Sequence, residues 1–286
     1  MKTARPTVAI VGGGITGACA ASALSASCDV TVFDQGRRGP GGRASHRRVS
    51  APDGTVLPDD GTLPADDVST FEFDHGCQFT RADDPGMSAL VSEWCDRGWV
   101  ERWSGPFGCV GEGEGGEGNG DFFGLPGSGA PVFVGVGGMY MLPRRVLAEC
   151  SATVRGGERV ADMTQGDDGK WELFGTAGEA AFHDTADAVA SKVAAASLGS
   201  FDAVLLTDAS SSFSGWHRAS AGAGVPDEVA ARVRQRVRVP LFSAMIALDA
   251  PLGDAVPFAA LTVKTKDSPL WSALNNLSLD SERGKP

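Results

Sequence analysis

Gly12-Gly13-Gly14-Ile15-Thr16-Gly17 spells Gly-x-Gly-x-x-Gly, and Asp34 follows twenty residues after Gly14. Residues of these types at this spacing can hold a dinucleotide. Gly12 permits a tight turn, Gly14 lets the backbone approach a pyrophosphate, and Gly17 lets a helix lie close against a sheet. The amides that open such a helix, at Ile15 and Thr16, carry a partial positive charge that suits phosphate. Asp34 is placed to accept hydrogen bonds from the ribose hydroxyls of an adenosine.

The motif needs a strand before it and a helix after it, and the sequence supplies both. Thr7-Val8-Ala9-Ile10-Val11 is an unbroken apolar run, as expected of a strand covered on both faces of a parallel sheet. Small residues dominate Ile15 to Ser27, predicting a helix that packs tightly on that sheet. Val30 to Asp34 reads as the second strand. Strand, glycine turn, helix and strand within about 30 residues open a βαβ unit.

The next segment, Arg37-Arg38-Gly39-Pro40-Gly41-Gly42-Arg43, sets a second glycine pair and several guanidiniums just after the acid. Glycines there permit a second backbone approach to the cofactor, and Arg38 or Arg43 can neutralise a diphosphate. Together with the N-terminal motif, this segment resembles the flavin-containing amine oxidase superfamily, whose members carry Gly-Gly-Arg at this spot. More narrowly, the chain is similar to the renalase-like branch. Phe73-Asp74-His75-Gly76-Cys77-Gln78-Phe79 resembles that branch's Asp-His-Gly segment, and Val134-Gly135-Val136-Gly137-Gly138-Met139 resembles its Gly-Met turn before a helix.

The resemblance covers most of residues 7 to 286. It implies an α/β fold: a Rossmann-like FAD-binding domain with an interleaved α+β substrate domain of amine-oxidase type. It implies FAD as cofactor, with Asp74, His75, Gly76 and Gln78 beside the flavin and the backbone at Val160 against adenine. Phe201 to Thr207 resembles the strand that returns the chain to the cofactor domain. In the family a further strand, a glycine-bearing loop and a final helix close the site, and Lys285-Pro286 resembles the start of that element. The implied activity is hydride transfer from a small-molecule donor, a dihydronicotinamide or an amine, to the flavin, with dioxygen taking the electrons to give hydrogen peroxide. Two alternatives stand beside it: a catalytically silent dinucleotide-binding module or truncated paralogue, and an NAD-dependent dehydrogenase.

Within that frame the expected layout is an FAD-binding part at 1–80 and a helical and glycine-rich insertion at 81–150. A middle FAD-binding part with a hairpin follows at 151–207, then a substrate-domain segment at 208–286. Met87, Leu90, Val91 and Trp94 recur at helical spacing, and Pro143 to Cys150 reads as a helix. Gly105 to Ala130 is glycine-rich and reads as a flexible loop. Gly166-Asp167-Asp168-Gly169 between two apolar runs predicts a hairpin. Ala186 to Ala196 and Asp227 to Arg238 read as helices, Phe201 to Thr207 and Leu241 to Leu248 as strands.

Composition narrows the function classes. The 286 residues are 42% hydrophobic and 21% charged, which is ordinary globular usage. A net charge of −11 repels phosphate backbones, so no nucleic-acid partner is expected. No run of 18 apolar residues exists to span a membrane. Residues 1 to 6 run straight into the first strand, leaving no room for a signal peptide, and the expected location is the cytoplasm or another intracellular soluble compartment, organelles included. The six cysteines form no Cys-x-x-Cys pair and have no histidine at ligand spacing, so no metal site is expected. Hydrolase and kinase motifs are absent, and no catalytic residue stands out. A small-molecule substrate is the expected partner. The sequence sets no oligomeric state.

Overall fold

The computed structural model describes residues 4–36, 39–51, 53–57, 70–104, 107–111, 131–177, 196–207, 228, 231–232, 235, 244–248, 260–264 and 272–275. The chain opens with β1 (Thr7–Val11), α1 (Ile15–Leu24) and β2 (Asp29–Asp34). It continues through β3 (Arg47–Ser50), β4 (Thr70–Phe73), β5 (Thr80–Arg81), α2 (Pro85–Asp96), β6 (Val100–Trp103), β7 (Phe107–Gly111) and β8 (Val132–Gly135). Then come α3 (Met141–Glu149), β9 (Thr153–Gly156), β10 (Glu158–Gln165), β11 (Trp171–Ala177), β12 (Ala196–Phe201) and β13 (Ala203–Leu206). The last described strands are β14 (Ala260–Lys264) and β15 (Ser272–Asn275). Two compact units result: Met1–Ser45 with Leu57–Val68 and Pro143–Ser243, and His46–Val56 with Ser69–Leu142 and Ala244–Pro286.

In the first unit, β1 lies at the inside of a parallel sheet ordered β13-β1-β2-β9. Ile10 pairs with Val32 on one side and with Leu205 on the other. Val8 to Val11 are all buried, which is why the strand is apolar without alternation. α1 packs on β1 and β2 through the buried Gly17, Ala18 and Ala21, whose small side chains let the helix come close. Ala9, Val11 and Phe33 point to the other face, into a core shared with Val160, Met163, Leu173, Leu198 and Phe201 of the antiparallel sheet β10-β11-β12. Phe33 meets Phe201 edge to face at 5.8 Å between centroids. Burial of each such ring contributes roughly 1.5–3 kcal/mol.

Arg155 ties the two sheets together. It grips Glu158 at 3.0 and 2.7 Å, donates to the Leu198 carbonyl at 2.7 Å, and sits 4.9 Å over the Phe33 ring. The hairpin expected at 166–169 is present, closed by Gly166 N donating to the Lys170 carbonyl at 2.8 Å.

Phe201 to Thr207 is two strands rather than one, because Asp202 interrupts it. Its carboxylate accepts from the backbone N–H and the hydroxyl of Thr7, each at 2.8 Å, and pairs with Lys170 at 3.0 Å. The Thr7 amide above all, then Lys170, hold the Asp202 carboxyl below the usual carboxylate range, at about 2. A carboxyl held low in the folded state stabilises the fold above the unfolded carboxylate pKa, and that stabilisation drains away as pH falls. Between about pH 4 and about pH 2 the wild type is therefore expected to lose thermal stability by a component that Asp202→Asn lacks. Melting curves of both chains across that range check it; identical pH dependence would refute the role.

The second unit carries a hairpin of β3 and β4, an antiparallel sheet β5-β8-β6, and the sheet β15-β14-β7. α2 confirms the helical spacing read from Met87 to Trp94, with Val91 and Trp94 as its buried face. Asp84 caps it, accepting from Gly86 N at 2.8 Å and Met87 N at 3.2 Å, with Pro85 opening the helix.

Three other expectations change. Inside the glycine-rich stretch, Phe107–Gly111 is a strand paired in parallel with Ala260–Lys264, so long-range pairing overrides the weak propensity of glycine. Ala196 begins β12 instead of ending a helix, and the rest of the expected helix at 186–195 lies outside the described residues. Of the strand expected at Leu241 to Leu248, residues 244–248 form no regular structure, and Met245 and Ile246 are exposed. The expected basic helix is described only at Glu228, Ala231, Arg232 and Gln235, the first three of them helical.

Candidate dinucleotide site

The Gly12–Gly17 loop leaves β1 at the top of the sheet and delivers its chain into α1. Gly12 has φ +107°, a left-handed conformation that a side chain would strain, and its amide donates to the Phe33 carbonyl at 2.8 Å. Gly17 is fixed by packing: a Cβ there would overlap the Gly12 carbonyl oxygen and reach 3.3 Å from the Thr207 hydroxyl. Gly14 differs from both. Its φ is −73°, and a Cβ there would meet no protein atom nearer than 3.8 Å. Nothing in the fold itself requires a glycine at 14.

Gly14 is also the N-cap of α1, and among the described residues no side chain caps the helix. The amides of its first turn thus present their donors and the positive end of the helix dipole at that point. Ile15 is half-buried and Thr16 exposed.

Asp34, buried at the end of β2, accepts from Gly13 N at 2.7 Å through Oδ2 and from Gly36 N at 2.8 Å through Oδ1. A carboxylate presents about four acceptor sites. These two bonds lock the first glycine loop to the chain that follows β2. That following loop turns back through Gly39, whose amide donates to the Gly36 carbonyl at 3.1 Å. Gly41 and Gly42 then face the first loop, and a Cβ on Gly42 would stand 3.2 Å from the Gly14 Cα. Two glycine backbones therefore oppose each other at the helix N-terminus. Arg43 sits exposed in the short 3-10 turn Gly42–Ala44. Arg38 lies outside the described residues.

Val160 belongs to the same unit, its side chain buried in the core between the sheets and its strand touching β2. Asp74, His75, Gly76 and Gln78 belong to the second unit. There Asp74 Oδ2 accepts from Met139 N at 3.0 Å, which joins the Asp-His-Gly segment to the Gly-Met turn. Gly138 needs its φ of +103° in that turn. His46 is buried and stacked on Tyr140 at 3.5 Å between centroids.

Sequence reasoning missed Arg144. From α3 its Nε donates to the Pro40 carbonyl at 3.2 Å, across 104 residues, and a Cβ on Gly39 would lie 3.6 Å from its Nη2. A half-buried arginine on a helix carries no local signal of such a contact.

Burial pushes the Cys19 thiol on α1 upward, which disfavours its reactive thiolate form. Among the described residues no group of three or more His, Cys, Asp or Glu side chains could hold a metal ion, and no helix is long and apolar enough to cross a membrane.

Residues 10–94 match the family model described as an NAD(P)-binding Rossmann-like domain. The fold is Rossmann-like, mixed α/β around a parallel sheet. No curated protein matches the chain. Among solved structures it is similar to THI4 of Thermovibrio ammonificans, with 15% identity and a TM-score of 0.34 over 70% of this chain and 56% of that one. It is similar to p-nitrophenol 4-monooxygenase of Pseudomonas putida, with 15% identity and a TM-score of 0.37 over 73% of this chain and 41% of that one. A third similar structure, described as an FAD-containing monooxygenase from Photorhabdus luminescens, has 12% identity and a TM-score of 0.39 over 72% and 40%. The chain thus spans about half the length of these structures or less.

Proposed function

We propose that the chain is an FAD-dependent oxidoreductase of renalase-like or amine-oxidase-like type. The observation that carries the reading is the pair of opposed glycine backbones at an uncapped helix N-terminus, with a glycine at 14 that the protein's own packing does not demand. A glycine whose Cβ would meet only ordinary contacts, at 3.8 Å from the Gly42 Cα, beside first-turn amides, fits a group that itself approaches the backbone closely and carries negative charge. The residues present fit a dinucleotide diphosphate.

In this reading the amides of Gly14, Ile15 and Thr16 donate to the diphosphate, and the Gly41-Gly42 backbone closes on it from the other side. Asp34 orders the first loop and accepts from the adenosine ribose, and Arg43 supplies positive charge at the rim. The Val160 backbone meets the adenine. Bound FAD supplies a two-electron acceptor that dioxygen reoxidises to yield hydrogen peroxide. The protein's task is then to bind, orient the donor carbon and exclude water, so no nucleophilic side chain is needed.

The donor class proposed is a dihydronicotinamide or an amine. The chain loaded with FAD is expected to consume such a donor and release an equal amount of hydrogen peroxide in air. Retained dinucleotide with no peroxide from either donor class would leave a silent binding module. The family description of residues 10–94 favours one further reading, an NAD-dependent dehydrogenase. NAD displacing a fluorescent adenine analogue at lower concentration than FAD would select it.

A further inference from the structure

The turn from Gly36 to Pro40 is pinned at both ends by side chains that belong to other elements. At its start Asp34 Oδ1 accepts from Gly36 N at 2.8 Å, and at its finish Arg144 Nε donates to the Pro40 carbonyl at 3.2 Å. Between them the turn closes on itself through Gly39 N and the Gly36 carbonyl at 3.1 Å. Pro40 then bears on the first glycine loop, since a Cβ on Gly13 would stand 3.1 Å from the Pro40 Cβ. The next two residues are Gly41 and Gly42, the backbone that faces Gly14.

Gly39 is left-handed, at φ +85°, a conformation that glycine adopts without strain but does not itself enforce, because glycine backbone is permissive. A planar guanidinium held in one plane is suited to fixing such a segment, since little of its freedom remains to be lost per bond formed. It reaches the turn from α3, whose Leu142, Pro143, Val146 and Leu147 are buried and anchor the helix.

Resting on the dinucleotide reading above, we infer that Arg144 is a positioning residue for that site: from α3 it clamps the Gly36–Pro40 turn so that the Gly41-Gly42 backbone is held opposite Gly14 before the cofactor arrives. Arg144 need not touch the dinucleotide. Its effect is preorganisation, which raises affinity by reducing what must be ordered on binding.

The test uses the full chain with Arg144→Ala and Arg144→Lys, FAD titrated by its visible spectrum, and amide hydrogen exchange of the unloaded proteins. In Arg144→Ala the amides of residues 36–44 are expected to exchange faster while those of β1 and α1 keep their protection. FAD affinity is expected to fall about tenfold, the scale of one lost charge-assisted bond. Methylguanidinium ion added to Arg144→Ala is expected to recover part of it. Arg144→Lys, which keeps the charge but lacks the Nε donor, is expected to stay weaker than wild type.

Unchanged exchange at 36–44 together with wild-type FAD affinity in either variant would overturn the clamp and leave the dinucleotide reading standing. Loss of protection in β1 and α1 along with the turn would also overturn it, by making Arg144 a general support of the fold. A wild-type chain that binds neither FAD nor NAD would instead bring down the dinucleotide reading, and the clamp's purpose with it.

Discussion

Gly17→Ala is expected to destabilise the chain by about 3 kcal/mol, a large share of the ~5–15 kcal/mol that holds an ordinary domain folded. The added methyl would overlap the Gly12 carbonyl oxygen, which is backbone and part of the turn leaving β1. It cannot swing aside as a flexible side-chain tip could. Relief requires α1 to lift from the sheet, and Ala18 and Ala21, both fully buried, would lose their packing with it. Urea denaturation of the variant checks this. A midpoint equal to wild type would show that the helix is not held where the structure has it.

Gly14→Ala is expected to do the opposite. With φ at −73° and no protein atom within 3.8 Å of the new Cβ, the variant should fold normally. Alanine is a poorer N-cap than glycine, a cost of at most about 1 kcal/mol. The methyl would occupy the approach to the first-turn amides, and losing one or two charge-assisted bonds to a diphosphate costs roughly 1.5–3 kcal/mol each. FAD affinity is therefore expected to drop ~10- to 100-fold or more, with the melting temperature nearly unchanged. Two glycines of one motif, three residues apart, would then separate fold from function. Undiminished FAD binding in Gly14→Ala would remove the diphosphate from this helix end.

Much of this site was legible in the sequence because its parts are local. A turn, a small-residue helix and the acid closing the second strand lie within Thr7 to Asp34, and each residue type there answers to a constraint only a few residues away. The hairpin at Gly166 to Gly169 was readable for the same reason.

What was hidden depends on distant partners. The break between β12 and β13 exists because Asp202 binds Thr7, 195 residues off. β9 is short and mostly exposed, with a charged Arg155 and Val154 open to solvent, so no apolar pattern marks it. Phe107–Gly111 becomes a strand through Ala260–Lys264. Residues 244–248 show the converse, an apolar run with strand character and no strand pairing. Arg144 had no signal because its role is set by the carbonyl of Pro40, which the helix pattern cannot foresee.

Whether the opposed glycine loops hold FAD is decided by the visible absorption spectrum of the purified full chain, recorded after incubation with FAD and gel filtration. The expected result is a yellow protein whose resolved flavin bands elute with the chain, and which Gly14→Ala, folded but colourless, fails to reproduce. A well-folded wild type that emerges colourless, having retained no FAD, would contradict it.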